Sequence, residues 1–329
     1  MITFIVTTYN LEDWLLYRCL DSIVSQGLPR DQYEVVIVDD ESIVSPQHVV
    51  DRYVPNVNIT LYVQKHARQG AARNVGIRYA KGEWIQFVDG DDYLFPGALP
   101  FVLKAAQEKD LDLLVFGFRE VYDESPGKDI CPGAGMVLSP ITTGNEYMSR
   151  SNLFGACWRQ IFKRQLLDDP TFGEPLRFTE GIYIEDEEFV TKLVWRARRM
   201  AQTATPVYAY YQRMGSTVHF CGREHADELF RNYFIVLERL LDFEATIALK
   251  PHDGVTRKVR FLALDILRRA LREPDWRKRW GESTGLLCSL RLWPLPVARY
   301  SWKYGMFRLL GRCDAGRCVF RIIEKHKRL

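Results

Sequence analysis

Along the first half of the chain, short β-branched apolar runs alternate with stretches whose apolar residues recur every three or four positions. Ile2 to Thr8 reads as a strand. Leu15, Leu16, Cys19, Leu20 and Ile23 then share one face of a helix within Leu11 to Gln26. Tyr33 to Asp40 is a second strand, Ser45 to Tyr53 a helix, and Ile59 to Val63 a third strand. Gly70 to Ala80 is helical, Trp84 to Val88 is a fourth strand, Gly97 to Lys109 a helix and Leu111 to Phe116 a fifth strand. Such alternation predicts βαβ units and a mostly parallel, Rossmann-like sheet flanked by helices, an α/β fold.

Beyond that point the pattern loosens. Residues 123 to 145 are rich in Gly, Pro, Ser and Asp and read as a loop or an irregular strand pair. A helix near 145 to 152, a segment around Trp158, an acidic run at 185 to 188 and a strand from Thr205 to Gln212 follow. From about 225 the pattern is helical and basic. The expected organisation is an α/β domain over 1–220 and a basic helical C-terminal region over 221–329.

Composition changes this picture in two ways. The net charge of +3 conceals an asymmetry: residues 221–329 hold 23 Lys and Arg against 13 acids, whereas the other 220 residues hold 22 against 29. A basic tail on an acidic body points to an anionic surface or polymer. The seven cysteines are scattered with no C-x-x-C pair, which argues against a disulfide framework or zinc knuckle and suits a reducing compartment. No run of about 18 apolar residues occurs, and Met1 leads straight into a strand rather than a secretory signal, so a cytoplasmic location is expected.

The candidate chemistry lies where strands end. The fourth strand runs into Asp89, Asp91 and Asp92. Carboxylates at the carboxyl edge of an open α/β sheet stand where such folds bind ligands, and a divalent cation relieves their mutual repulsion. An acidic turn bonded to its own backbone is the competing reading. Asp39 and Asp40 end the second strand, where they can accept from a ribose or a uracil-like base, or instead build a turn. No G-x-G-x-x-G follows the first strand and no P-loop occurs, which disfavours nicotinamide enzymes and P-loop kinases. Glu185 to Glu188 open an apolar helix, where the helix dipole and a Glu188–Lys192 pair account for much of the cluster, while crowding raises a carboxylate's pKa and suits it to act as a base. Arg213 and Ser216 in a Gly-containing turn have the makings of a phosphate clamp, or of a solvated turn. Trp158 is either a sugar-stacking ring or core packing.

Taken in order, Ile5-Val-Thr-Thr-Tyr9-Asn10, Val38-Asp39-Asp40-Glu41-Ser42, Gln69-Gly-Ala-Ala-Arg73-Asn74-Val-Gly76, Phe87-Val-Asp89-Gly-Asp91-Asp92, Glu185-Asp186 and Tyr211 to Ser216 resemble the family 2 glycosyltransferases of the GT-A fold. The resemblance covers roughly residues 1 to 220, with Glu41 where Gly or Asn is common and Gly90 where Ser is common. It implies an inverting transfer from a nucleotide sugar, UDP-linked, to a hydroxyl of a glycan or lipid-linked saccharide in surface polysaccharide synthesis. Thr7, Tyr9, Asp40 and Arg73 would then hold the nucleoside, with Asp40 and Arg73 at the uracil. Asp91 and Asp92 would hold Mn²⁺ or Mg²⁺, Asp89 would support the ribose or donor sugar, and Arg213 would stabilise the leaving diphosphate. Asp186 would be the general base, with Glu185 as its neighbour and stand-in. Transfer to a polyprenyl phosphate and a silent nucleotide-sugar-binding assembly subunit are the alternatives.

The tail matches no family by its motifs. Residues 255 to 280 carry a basic amphipathic pattern, and Trp293, Tyr300, Trp302, Tyr304, Phe307 and Phe320 then alternate with Arg and Lys. Aromatics beside cations suit an anionic membrane surface, so residues 255–329 are expected to hold the enzyme at the inner face of the plasma membrane, with a soluble helical subdomain as the alternative. No nucleic-acid motif is present, and no nucleic-acid partner is expected.

Overall fold

The computed structural model describes residues 1–122, 135–212 and 223–326. The chain divides into two compact units, Met1–Gly144 with Phe154–Gly222, and Asn145–Leu153 with Arg223–Leu329. The short helical stretch near 145 to 152, placed in the first domain by its position in the chain, thus groups with the C-terminal helices.

The first unit begins β1 (Ile2–Thr8), α1 (Asp13–Val24), β2 (Tyr33–Asp39), α2 (Gln47–Asp51), β3 (Ile59–Val63), α3 (Arg68–Tyr79) and β4 (Trp84–Asp89). These four strands are parallel and lie in the order β3-β2-β1-β4. The chain winds outward from β1 to β3, then crosses back to place β4 on β1's other side. Open α/β sheets bind ligands beside the carboxyl ends of strands at such a switch point. Every residue of β1 and β2 is buried, as expected for parallel strands covered on both faces.

Beyond β4 the chain alternates expected elements with short strands that the hydrophobic pattern did not resolve. After β4 come β5 (Tyr93–Leu94), α4 (Ala98–Glu108), β6 (Leu113–Val121), α5 (Gly144–Arg150), β7 (Gln160–Lys163), α6 (Gln165–Asp168), α7 (Glu185–Arg196) and β8 (Met200–Tyr211). The full order is β3-β2-β1-β4-β7-β6-β8-β5, with β7 antiparallel to both β4 and β6, and β5 antiparallel to β8. The strands β6 and β8, which pair in parallel, overlap the segments expected from the pattern, whereas β7 and β5, of four and two residues, are too short to show a period. The segment around Trp158 is a single tight turn feeding β7.

The second unit holds α8 (Arg223–Thr246), α9 (Asp253–Arg272), α10 (Trp276–Ser289), α11 (Trp302–Leu310) and α12 (Asp314–His326). Its hub is α9, whose Val255, Val259, Leu262, Ile266, Leu267 and Leu271 are all buried. The basic amphipathic pattern over 255 to 280 is therefore a packing pattern, not a face toward a bilayer. Its cations are used internally: Arg257 reaches Asn152 at 2.9 Å and Lys258 reaches the Leu153 carbonyl at 3.0 Å. Arg268 and Arg272 hold the buried Glu324 of α12, with nitrogens of the two arginines 2.8 and 3.1 Å from its oxygens. Burial alone would raise the Glu324 pKa, but the hydrogen bonds from both arginines outweigh it and bring it down to about 2.

This clamp ties α12 to the hub. Removing one partner of a buried ion pair costs about 3–5 kcal/mol, because the other charge is left uncompensated. The side chains of Arg268 and Arg272 keep 29% and 21% of their exposure, so water relieves part of that cost. Glu324→Ala is expected to destabilise the protein by about 2 kcal/mol, read as a lower urea midpoint at unchanged slope, and Arg268→Ala by less.

Candidate functional site

Strand register sets the first wall of the site. Thr7 of β1 lies level with Asp89 of β4, and Thr8 with Asp39 of β2. The loops beyond these strands are stitched together: the backbone N–H of Asn10 donates to the Ser42 hydroxyl at 2.8 Å, and that of Ile43 donates to the Asn10 side chain at 2.8 Å. Asp39 accepts from both the hydroxyl and the backbone N–H of Ser42, so it builds the turn. Asp40 accepts from the Gln64 amide at 2.6 Å and from the N–H groups of Ala67 and Arg68 at 2.9 and 2.8 Å, with His66 2.9 Å away. Both carboxylates expected at the ribose or base are thus engaged with the protein's own turns, the competing reading of those residues. Tyr9 remains an open ring, 46% exposed, stacked on His66 at 4.5 Å. The Thr7 hydroxyl is buried and has no hydrogen-bond partner among the described residues.

The second wall is an ion network that joins the two acidic motifs. Arg73, one turn into α3, is 3% exposed. Its guanidinium donates to Asp89 at 2.8 Å and to Glu185 at 2.7 Å. The neighbouring Asn74 fixes the facing segment by exchanging hydrogen bonds with the backbone of Phe178 at 2.8 and 2.9 Å. Gly70 permits this approach: a Cβ there would lie 2.8 Å from the Thr179 carbonyl oxygen and 3.0 Å from the Glu185 side chain. Arg73 was expected at a uracil, but its guanidinium lies buried between two carboxylates and shapes the site from beneath.

Asp186 follows Glu185 in the first turn of α7 and is partly exposed. Among the described residues its carboxylate makes no hydrogen bond or ion pair. Burial of its surroundings, then the charge of Glu185, push its pKa well above the ordinary value, with Arg73 opposing. Glu185 is raised too, by burial against the pull of Arg73. Glu188 is bound to Thr179 at 2.6 Å and to Lys192, the pairing its spacing predicted. Ile184, just before the acids, has φ of +60°, a left-handed conformation that is costly for a β-branched residue and is found where surrounding structure demands it.

Asp91 and Asp92, expected together on a metal, have different environments. Asp92 is 1% exposed, and its two oxygens accept from the Tyr208 hydroxyl and the Tyr211 N–H, both at 2.7 Å. It anchors the end of β8 rather than presenting an open ligand. Asp91 is partly exposed. Its carbonyl accepts from Arg18 of α1 at 2.7 Å, and that guanidinium lies over the rings of Trp14, Tyr93 and Tyr211 at 5.0, 4.8 and 4.1 Å. Arg18 escaped the reading of the sequence. Its only local signal is the Trp14–Arg18 spacing of one helical turn, since Tyr93 and Tyr211 come from distant strands.

Trp158 is 5% exposed and stacks on Tyr208 and Tyr210 at 4.4 and 5.4 Å, with Phe118 edge-on. It is core packing and offers no free face to a sugar. Arg213 and Ser216 lie outside the described residues. Among the described residues, no group of three or more His, Cys, Asp or Glu side chains could hold a metal on its own. The donor chemistry nevertheless suits a hard cation: five carboxylates, Asp89, Asp91, Asp92, Glu185 and Asp186, gather around Arg18 and Arg73. Mg²⁺ is usually held by one or two carboxylates completed by substrate phosphates.

Comparison with known proteins identifies the family and the fold. A sequence profile described as Glycosyl transferase family 2 matches residues 3–169. Over 217 residues, 64% of this chain, the sequence is 28% identical to a poly(ribitol-phosphate) beta-glucosyltransferase of Bacillus spizizenii, and the match covers 32% of that protein. It is 27% identical over 212 residues to the poly(ribitol-phosphate) beta-N-acetylglucosaminyltransferase TarS of Staphylococcus aureus, covering 63% of this chain and 34% of TarS. The matched stretch thus spans about a third of the length of these two relatives. The crystal structure of S. aureus TarS 1-349 in complex with UDP-GlcNAc superposes with a TM-score of 0.68 at 20% identity, covering 99% of this chain and 91% of that one. The mannosyltransferase PcManGT from Pyrobaculum calidifontis, in complex with GDP-Man and Mn²⁺, superposes with a TM-score of 0.54 at 18% identity, covering 99% and 86%. With the profile spanning half of the chain and the sheet built as in these GT-A structures, the chain belongs to glycosyl transferase family 2.

Proposed function

We propose that this enzyme is an inverting glycosyltransferase that moves a sugar from a UDP-sugar to a hydroxyl of a glycan or lipid-linked saccharide in surface polysaccharide synthesis. The observation that carries this reading is Asp186: a carboxylate with a raised pKa and no hydrogen-bond or ion-pair partner among the described residues, set beside an arginine already shared between Asp89 and Glu185. Such a group is poised to take a proton from an attacking hydroxyl. A direct displacement needs one base and no enzyme nucleophile, and it inverts the anomeric centre. The TarS complex with UDP-GlcNAc and the poly(ribitol-phosphate) transferases support a UDP-sugar donor and a polymer acceptor.

The chain's own residues divide the work. Tyr9 offers an exposed ring to a nucleobase, and Thr7 a buried, unpartnered hydroxyl at the strand edge. Arg73 fixes the positions of Asp89 and Glu185, and through Glu185 the start of α7 that carries Asp186. Arg18 holds the backbone of the Asp91 turn. Mn²⁺ or Mg²⁺, held by Asp91 with Asp89 beside it, would supply neutralising charge to the departing diphosphate. A location in the cytoplasm, at the inner face of the plasma membrane, fits the scattered cysteines and the basic tail.

A panel of nucleotide sugars incubated with the full chain, a hydroxyl acceptor and Mn²⁺ tests the proposal through release of the nucleoside diphosphate. Asp186→Asn is expected to lower kcat by about 10²–10⁴-fold with donor affinity little changed. Full turnover by that variant would shift the reading to a polyprenyl phosphate acceptor, which needs no base. Because Asp186 must be ionised to accept a proton and its pKa is raised, kcat/KM should fall as pH drops through a value above the usual ~3.9 of Asp. An acid limb lying at that usual value would remove Asp186 from the role. Excess EDTA should abolish turnover, and added Mn²⁺ or Mg²⁺ should restore it; undiminished transfer in EDTA would exclude the metal.

A further inference from the structure

We propose that α11 and α12 form a docking face for an anionic lipid bilayer. This refines the membrane location proposed above and rests on that location alone, not on the chemistry of transfer. Each of these helices is apolar on two sides. The inner sides carry Tyr304, Phe307 and Phe320, which are buried, with the Phe307 and Phe320 rings 4.6 Å apart. The outer side of α11 carries Trp302, Met306, Leu309 and Leu310, at spacings of four, three and one, which lie on one helical face. Trp302 is 68% exposed and Leu309 58%. On α12, Val319, Ile322 and Ile323 repeat the arrangement, with Ile322 60% exposed.

Charge identifies the partner. Residues 291–329 contain ten Lys and Arg and two acids, Asp314 and Glu324. Both acids are already paired: Asp314 with Arg317, and Glu324 with Arg268 and Arg272. Arg299, Lys303, Arg312 and Lys325 are exposed, and among the described residues none of them forms an ion pair. The surface is therefore aliphatic and aromatic residues interleaved with unneutralised cations. That combination matches the boundary between anionic headgroups and acyl chains, where Trp is favoured and cations meet lipid phosphates. A second copy of the chain would bring like charges together. Single-stranded nucleic acid would use stacking rings rather than Leu and Ile. At 9 and 13 residues the two helices are too short to span a bilayer, which takes about 20, so they lie in its surface.

The test is cosedimentation of the full chain with vesicles of phosphatidylglycerol and phosphatidylcholine, against vesicles of phosphatidylcholine alone. Binding is expected to the anionic vesicles, to be at least about tenfold weaker to the neutral ones, and to fall steeply at about 0.5 M salt. The double variant Leu309→Asp/Ile322→Asp should lose vesicle binding. Its circular dichroism and its metal-dependent turnover with a water-soluble acceptor should match the parent. Charge reversal by Lys303→Glu/Arg312→Glu should remove the preference for anionic lipid. Equal vesicle binding by the parent and the Leu309/Ile322 variant, or no binding by the parent, overturns the proposal. So does self-association abolished by the same substitutions without any vesicle binding, which would assign the face to a second copy. Failure here leaves sugar transfer to a soluble acceptor intact, whereas loss of that transfer with vesicle binding retained would count against the catalytic reading instead.

Discussion

One buried guanidinium holds the site together. Arg73 lies between Asp89, at the end of a central strand, and Glu185, at the start of a helix 112 residues away in sequence. Two carboxylates brought this close repel each other strongly in a medium poorer than water at screening charge. A cation between them turns that repulsion into two short charge-assisted hydrogen bonds. The geometry of the rest follows from this contact. The strand edge and the first turn of α7 are held at a fixed separation, and Asp186, next to the clamped Glu185, is left with its carboxylate unpaired among the described residues. The triad itself, one guanidinium against two carboxylates, keeps a net negative charge that a divalent cation would offset.

The parallel half of the fold was legible because its signals are local. Ile2 to Thr8 and Tyr33 to Asp39 announce themselves by β-branched runs, and α1 by the spacing of Leu15, Leu16, Cys19, Leu20 and Ile23. The antiparallel strands β7 and β5 were not, because they are held by their neighbours rather than by any period of their own. The same division governs the site. That Asp39, Asp40, Asp89 and Asp91 gather at one edge of the sheet could be read from where strands end. Which hydrogen bonds each carboxylate accepts could not. Asp40 is engaged with residues 64 to 68, and Asp92 with Tyr208 and Tyr211, more than a hundred residues downstream.

Trp158 and α9 illustrate one ambiguity at two scales. An aromatic ring in a catalytic domain and a basic amphipathic helix in a tail each have a ligand-facing and a core-facing interpretation. In both, the deciding fact is what covers the apolar surface. Tyr208 and Tyr210 stack on Trp158, and the apolar face of α9 is buried within the second unit. An apolar surface that stays exposed lies on α11 and α12. There the sequence signal was present but was spread over six aromatic residues, of which Trp302 alone is strongly exposed.

Gly90, between the clamped Asp89 and Asp91, carries a consequence for how this protein can vary. A Cβ at that position would sit 2.9 Å from the carbonyl oxygen of Thr7 and 2.8 Å from a methyl group of Leu11. A side chain of any kind therefore has no room here while Leu11 and the β1 backbone keep their places. Trimming residue 11 would relieve the methyl contact but not the one with the strand carbonyl, so a side chain at residue 90 also requires β1 to recede.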